Sequence, residues 1–306
     1  MEMSARWAKA LAAPALFGAL LAGPGCVDIV GSDLGQAKYV ERDEKRFSVS
    51  GRPDVSFTTF DGSIEIRPWD KAEVEVVVEK RGRDKSDVDR IEVKATQNGN
   101  HVEVAVTEPK NHGGFNLEFG NHRSAKLIVS LPALSDVTAR SGDGSIDIEK
   151  ITGKVQLRSG DGSIDGRMLT GDVNAHTGDG SIKLADVKGD LTVDTGDGRI
   201  TVVGQLTGVH ARSGDGSVTV EAEPGSHAEA DWDIATGDGS VTLAVPDGFG
   251  AELDAHTGDG GIRMEDITLS NVSGQLGRNS VKGTLGPGGR AVRVRSGDGS
   301  ITLRRF

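Results

Sequence analysis

A β-solenoid is the fold class that this sequence predicts, and three observations predict it. The tripeptide Gly-Asp-Gly recurs with its aspartate at positions 143, 161, 179, 197, 215, 238, 259 and 298. Apolar residues keep the same offsets from each copy. The composition, with 44 glycines and only 4% aromatic residues in 306, suits many short strands and tight turns better than a core of large side chains. The full expectation is an all-β, single-stranded, β-helix-like solenoid of about 18-residue rungs, with an N-terminal β cap.

The N-terminus is taken first. Arg6 and Lys9 precede an apolar run from Ala10 to Ala22 that is short for a membrane span, so residues 1–25 read as a signal peptide. Cys26, the only cysteine of the chain, follows in Leu21-Ala22-Gly23-Pro24-Gly25-Cys26, which looks like a bacterial lipoprotein cleavage region. A lone cysteine cannot form an internal disulfide. Gly25 fits the lipoprotein pattern, whereas Gly23 stands where Leu is usual. Cleavage by the ordinary signal peptidase, leaving Cys26 as a free thiol, is the alternative. A diacylglyceryl group on Cys26 would give two-chain anchoring, with residues 26–45 as a flexible tether.

Residues 46–130 lack the 18-residue period. They hold one corner, Asp61-Gly62-Ser63, followed by the alternating pair Ile64 and Ile66, and then strand patterns at Val74 to Val78, Ile91 to Val93, His101 to Val106 and Leu127 to Leu131. This region reads as wider first rungs and a cap, because an uncovered solenoid end is an aggregating edge.

Residues 131–306 carry the repeat. The first four intervals are 18 residues, followed by 23, 21 and 39, the 23 containing an inserted loop at Glu223-Pro224-Gly225-Ser226. The 39-residue gap contains a degraded copy, Leu276 to Val281, with Arg278 at the aspartate position, which brings the expected count to nine rungs. Three residues after each aspartate stand Ile146, Ile164, Ile182, Ile200, Val218, Val241, Ile262 and Ile301, and two further on mostly apolar residues such as Ile148, Leu184 and Val202. Polar residues lie between, which is the period of a half-buried strand. Before the corner, Val137, Val155, Val173 and Leu191 head one inward column, and Ala139, Leu157, Ala175 and Val193 another. Equivalent strands of successive rungs should therefore pair in parallel, ~4.8 Å apart.

The stretches FTTFDGSIEIRPWD, VEVVVEK and LIVSLPAL, followed by tandem SGDGSI copies, resemble the bacterial β-strand-repeat family of unknown function, an adhesin-like family also described as toast-rack. The resemblance covers about residues 46–306. It implies an exported or membrane-attached envelope protein with no established enzymatic activity and no catalytic residues to carry over.

Each corner reads Ser/Thr-Gly-Asp-Gly, and two readings of it stand side by side. In one, the glycines supply positive φ and the aspartate closes an Asx-turn. In the other, a row of carboxylates, Asp143, Asp161, Asp179, Asp197 and Asp215 among them, binds Ca²⁺ or another hard cation. Outward arginines at 140, 158, 212 and 295 are expected to neutralise the aspartates without metal. His176, His210 and His256 lie too far apart along the rungs to converge on one ion, and Trp232 reads as core filler beside the inserted loop. The formal charge of −11 gives nucleic acid no favourable counterion release. No Gly-x-Ser-x-Gly, Walker loop or HExxH occurs, and the loops are too short to build a cleft. The function expected is a non-catalytic envelope interaction module without a cofactor, attached to membrane through Cys26 and binding a protein or envelope polymer. A Ca²⁺-dependent binding module and, further off, a polysaccharide-acting β-helix enzyme are the alternatives.

Overall fold

The computed structural model describes residues 39–108, 123–272 and 278–306. The signal peptide, Cys26 and residues 276–277 of the degraded copy lie outside the described residues. Apart from one helical turn, Lys85–Asp89, every element is a strand.

The periodic region folds as its spacing requires. Val155–Ser159 pairs in parallel with Asp136–Ser141 on one side and Val173–Thr177 on the other, residue for residue at the 18-position offset. Ile164–Arg167 does the same between Ile146–Glu149 and the start of Ile182–Thr195. Two columns of strands thus face each other, and the apolar ladders between them, such as Ile164, Ile182 and Ile200, are buried. Such a core is narrow, so β-branched aliphatics that stack on their own copies fill it without aromatic bulk.

The central rungs have a third side that no alternating pattern in the sequence marks. Bridges connect Leu134, Thr152, Thr170 and Lys188 in parallel, and Ile151, Leu169 and Val187 beside them form a third buried ladder. From Ile182 the chain runs through this side without a break, so Ile182–Thr195 and Ile200–Ser213 are each one 14-residue strand.

The order of rungs in the stack departs from their order in sequence at both ends. Asp54–Thr59 lies between His101–Thr107 and Asp136–Ser141, although both come later in the chain. At the other end, Ala291–Ser296 is inserted between Trp232–Thr236 and Ala251–Thr257, and Ile301–Arg305 between Val241–Val245 and Ile262–Glu265. The degraded copy is not a ninth rung. Its strand, Ser280–Leu285, runs antiparallel to Ala251–Thr257 and closes that column. Arg278 replaces the aspartate because no corner is made there; its carbonyl instead accepts the Ile262 N–H at 2.9 Å.

At the first end the cap is antiparallel. Glu92–Asn98 covers His101–Thr107, Glu73–Gly82 covers Ser124–Pro132, and Tyr39–Ser48 covers Glu73–Gly82. Residues 39–45 of the expected tether are therefore part of a strand, held by ion pairs such as Arg42 to Glu79 at 2.7 Å and Lys80 to Glu41 at 3.4 Å. A charged strand makes a poor template for further pairing and blunts the edge.

Candidate functional site

The corners recur along the stack, and their chemistry differs from the expectation in two ways. In the eight Gly-Asp-Gly corners the glycines that flank the aspartate are not among the positive-φ residues; only Gly62, after Asp61 in the first corner, is, with φ at 139°. They are glycines because rungs touch there: the Gly178 N–H donates to the Gly160 carbonyl at 2.5 Å, and a Cβ on Gly178 would sit 2.6 Å from that oxygen. Any side chain would push the rungs apart.

The turn is closed by the hydroxyl, not by the aspartate. Thr195 Oγ1 donates to the Gly180 carbonyl of the preceding rung at 2.9 Å and accepts the Gly198 N–H of its own corner at 3.2 Å. Ser159 repeats both bonds with Gly144 and Gly162, and Ser213 with Gly198 and Gly216. These hydroxyls are buried, so each satisfies a backbone donor and acceptor away from water while tying two rungs together.

The eight corner aspartates are exposed, and none of their carboxylates takes part in a side-chain hydrogen bond or ion pair among the described residues. Nor do the arginines neutralise them. Arg212 reaches Asp233 at 3.1 Å and Arg295 reaches Asp254 at 2.9 Å, both on the sheet face, while Arg140 and Arg158 carry no ion pair among the described residues. Asp61, the corner of the first rung, is pushed above the usual carboxylate range by burial and then by the charges of Asp143 and Glu108. Among the described residues no three His, Cys, Asp or Glu side chains converge as metal ligands. The corner row, Asp143 to Asp215, is a line of separate carboxylates one rung apart.

The outward faces are the remaining surface with regular chemistry. On the column before the corner, Arg140, Arg158, His176, Asp194 and Arg212 stand in register on successive rungs. His210 lies 4.0 Å from Asp194, and His256 is several rungs away beside Arg295. On the column after the corner, Thr201, Thr219, Thr242 and Thr302 form an unbroken ladder. Trp232 does not belong to this surface. It is buried, packs on Phe249 with ring centroids 5.1 Å apart, and donates its Nε1–H to the Thr207 carbonyl at 3.3 Å. The inserted loop beside it is pinned by Ser226, whose hydroxyl bonds to the Leu206 N–H and the Gly204 carbonyl. A groove of about 400 Å³ runs along the edge of the first column, lined by Asp172, Asn174, Asp190, Thr192, His210 and Asp231 among others. No helix among the described residues is long and apolar enough to cross a membrane.

The family model described as Toastrack DUF4097 matches residues 54–304. Among solved structures, a candidate lipid-binding protein from Parabacteroides distasonis is 14% identical, with a TM-score of 0.42 over 86% of this chain and 96% of that one. A candidate adhesin from Bacteroides fragilis is 13% identical, with a TM-score of 0.35 over 87% of this chain and 97% of that one. A candidate cell adhesion protein from Clostridium sporogenes is 13% identical, with a TM-score of 0.29 over 87% of this chain and 100% of that one. No curated protein matches the sequence.

Proposed function

The chain belongs to the toastrack family DUF4097, and from that premise we propose that it is a non-catalytic interaction module of the cell envelope, a stiff rod whose flat faces bind a partner with regularly spaced groups. The observation that carries this reading is the register of the outward ladder. Arg140 and Arg158 sit on adjacent rungs without an ion pair among the described residues, and His176 continues the row. Two arginines on strands ~4.8 Å apart set cationic side chains side by side along the rod, which suits a partner with repeating anionic groups. Attachment through a lipid on Cys26 belongs to the same proposal, since it would hold the rod at the membrane surface where such a polymer lies.

Two experiments test the reading. Full-length protein should sediment with isolated envelope polymer, and the double variant Arg140→Ser with Arg158→Ser should lose most of that retention while keeping its melting temperature, because both side chains are exposed. Retention unchanged by the double variant removes this face from the account. In cells, Cys26→Ser should move the protein out of the membrane fraction. An unchanged distribution removes the anchor.

A further inference from the structure

The outward row that begins with Arg140 and Arg158 does not stop at its two arginines. Val155–Ser159, Val173–Thr177 and Ile182–Thr195 pair in register, so Arg158, His176 and Asp194 take equivalent outward places on three successive rungs, with Arg140 one rung before them. Arg212 holds the same place on Ile200–Ser213, but its guanidinium reaches Asp233 at 3.1 Å and is already matched. His210 lies two residues before Arg212, with its Nε2 4.0 Å from the Asp194 carboxylate. The row thus runs from two arginines to an imidazole, then to a carboxylate with a second imidazole beside it.

Imidazole changes its charge between about pH 5 and pH 8, a range across which guanidinium and exposed carboxylate keep theirs. With both imidazoles neutral, an anionic chain laid along the row meets two cations and then the repulsion of Asp194. With both protonated, His176 lengthens the cationic run to three rungs, and His210 becomes the partner of Asp194 and cancels its charge at close range. The neighbours of the two rings allow this. His176 is exposed and faces Arg158 and Gln156 on one adjacent strand, Asp194 and Thr192 on the other, and Asn174 on its own, with Asp179 following in the corner. His210 faces Thr192 and Asp194 on one side, Asp233 on the other and Arg212 on its own strand, with Asp190 and Asp231 in the adjoining groove.

We propose that this row is a proton-gated anion ladder: acidification charges His176 and His210 and thereby strengthens the hold on a polymer with repeating anionic groups. The gate rests on the ladder being the binding face, as read above, and adds its regulation. Rung spacing makes the two protons count. Neighbouring rungs stand ~4.8 Å apart, so a chain that follows Arg140 and Arg158 along the rod passes next over His176 and Asp194, and each change of charge there acts on the same ligand.

The test measures affinity for dextran sulfate, whose sulfate esters stay ionised throughout, at about pH 5.5 and about pH 7.5. Full-length protein in detergent micelles is used at ~0.1 M salt, where charges more than ~10 Å away are largely screened. The parent should bind roughly tenfold more tightly at the lower pH, the factor expected of two added surface charge contacts. His176→Asn with His210→Asn should bind at both values as the parent does at the higher one. His176→Arg should tighten binding several-fold at the higher pH, a gain that no folding defect can produce. His227→Asn, at an exposed histidine of the inserted loop, should leave the rise intact. Equal affinity of the parent at both pH values, with binding lost in Arg140→Ser and Arg158→Ser together, overturns the gate and leaves the ladder as the binding face. A rise that persists in the double histidine variant, or vanishes in His227→Asn, places the protons elsewhere and overturns it too. Failure of the parent to bind at either pH removes ladder and gate together.

Discussion

At Thr195 and Asp197, two residues apart in one corner, the division of labour between hydroxyl and carboxylate becomes a measurable difference. Thr195→Val keeps the shape and removes a buried hydroxyl that bonds two backbone groups, leaving a carbonyl and an N–H unpaired; it should cost about 1–3 kcal/mol in urea denaturation. Asp197→Ala removes an exposed carboxylate that bonds nothing and should change stability by less than about 0.5 kcal/mol. Equal costs would mean that the aspartate closes the turn after all. Millimolar Ca²⁺ should leave the melting temperature of the parent unchanged, and a rise suppressed by Asp197→Ala would turn the corner row into a cation site. The sequence could not separate these roles, because hydroxyl and aspartate recur with identical spacing. Only the stacking of one rung on the next shows which of them faces inward. Asp136 is the opposite case, a carboxylate with partners. The Arg52 guanidinium, and next to it the Lys154 N–H, hold it below the usual carboxylate range against the effect of burial. Its folded pKa is depressed, so its contribution to stability is complete above the ordinary carboxylate pKa and is lost as pH falls through the folded value. Melting temperature followed from pH 6 to pH 3 should therefore fall less steeply in Asp136→Asn than in the parent.

Strands and their faces were the most legible level, because a period of two inside a period of 18 leaves one assignment of inward positions. Ile182 is 1% exposed between Ile164 and Ile200, and Lys183 beside it points out. Ile182→Asp should cost several kcal/mol by burying an unpaired charge, whereas Lys183→Ser should be nearly silent in the same denaturation experiment. The third buried ladder, Ile151, Leu169 and Val187, was equally periodic. Each rung contributes a single residue to it, too few to make an alternating pattern in the sequence. The order of rungs was illegible for a deeper reason. Copies that differ little in their inward residues can stack on any neighbour, and connection length alone does not choose among them. The sequence did carry a sign of the exception, since the copy that becomes an antiparallel closing strand is the one that lost its aspartate to Arg278. An interior place for the last rung has a consequence. Deleting residues 291–306 removes strands from the middle of the stack and should strip hydrogen-exchange protection from the Ala251–Thr257 amides that bond to the lost parallel neighbour.

For the molecule as a whole, stability and shape come from one arrangement repeated along an axis. Each rung contributes two lines of backbone hydrogen bonds, joined by a third in the central rungs, an aliphatic layer and one bridging hydroxyl, so the rod should be stiff along its length and roughly 45 Å long at ~4.8 Å per rung. Such a body has little depth for a catalytic cleft and two long faces for a partner, and this is why the proposed function rests on ladders rather than on a pocket. The ends are where the repeat must stop, and the chain stops it by returning: an early rung is enclosed at one end and the last rung at the other. That folding back of the chain is the central claim, and a pair of disulfides tests it most directly. With Thr242→Cys and Thr302→Cys together, the two Cα atoms stand on adjacent rungs, ~4.8 Å apart, and should bridge readily on oxidation. With Thr242→Cys and Arg263→Cys the inserted rung lies between them, at ~10 Å, and no bridge should form. Efficient bridging of the second pair, with none in the first, would mean that the rungs stack in the order of the sequence, and would contradict the account.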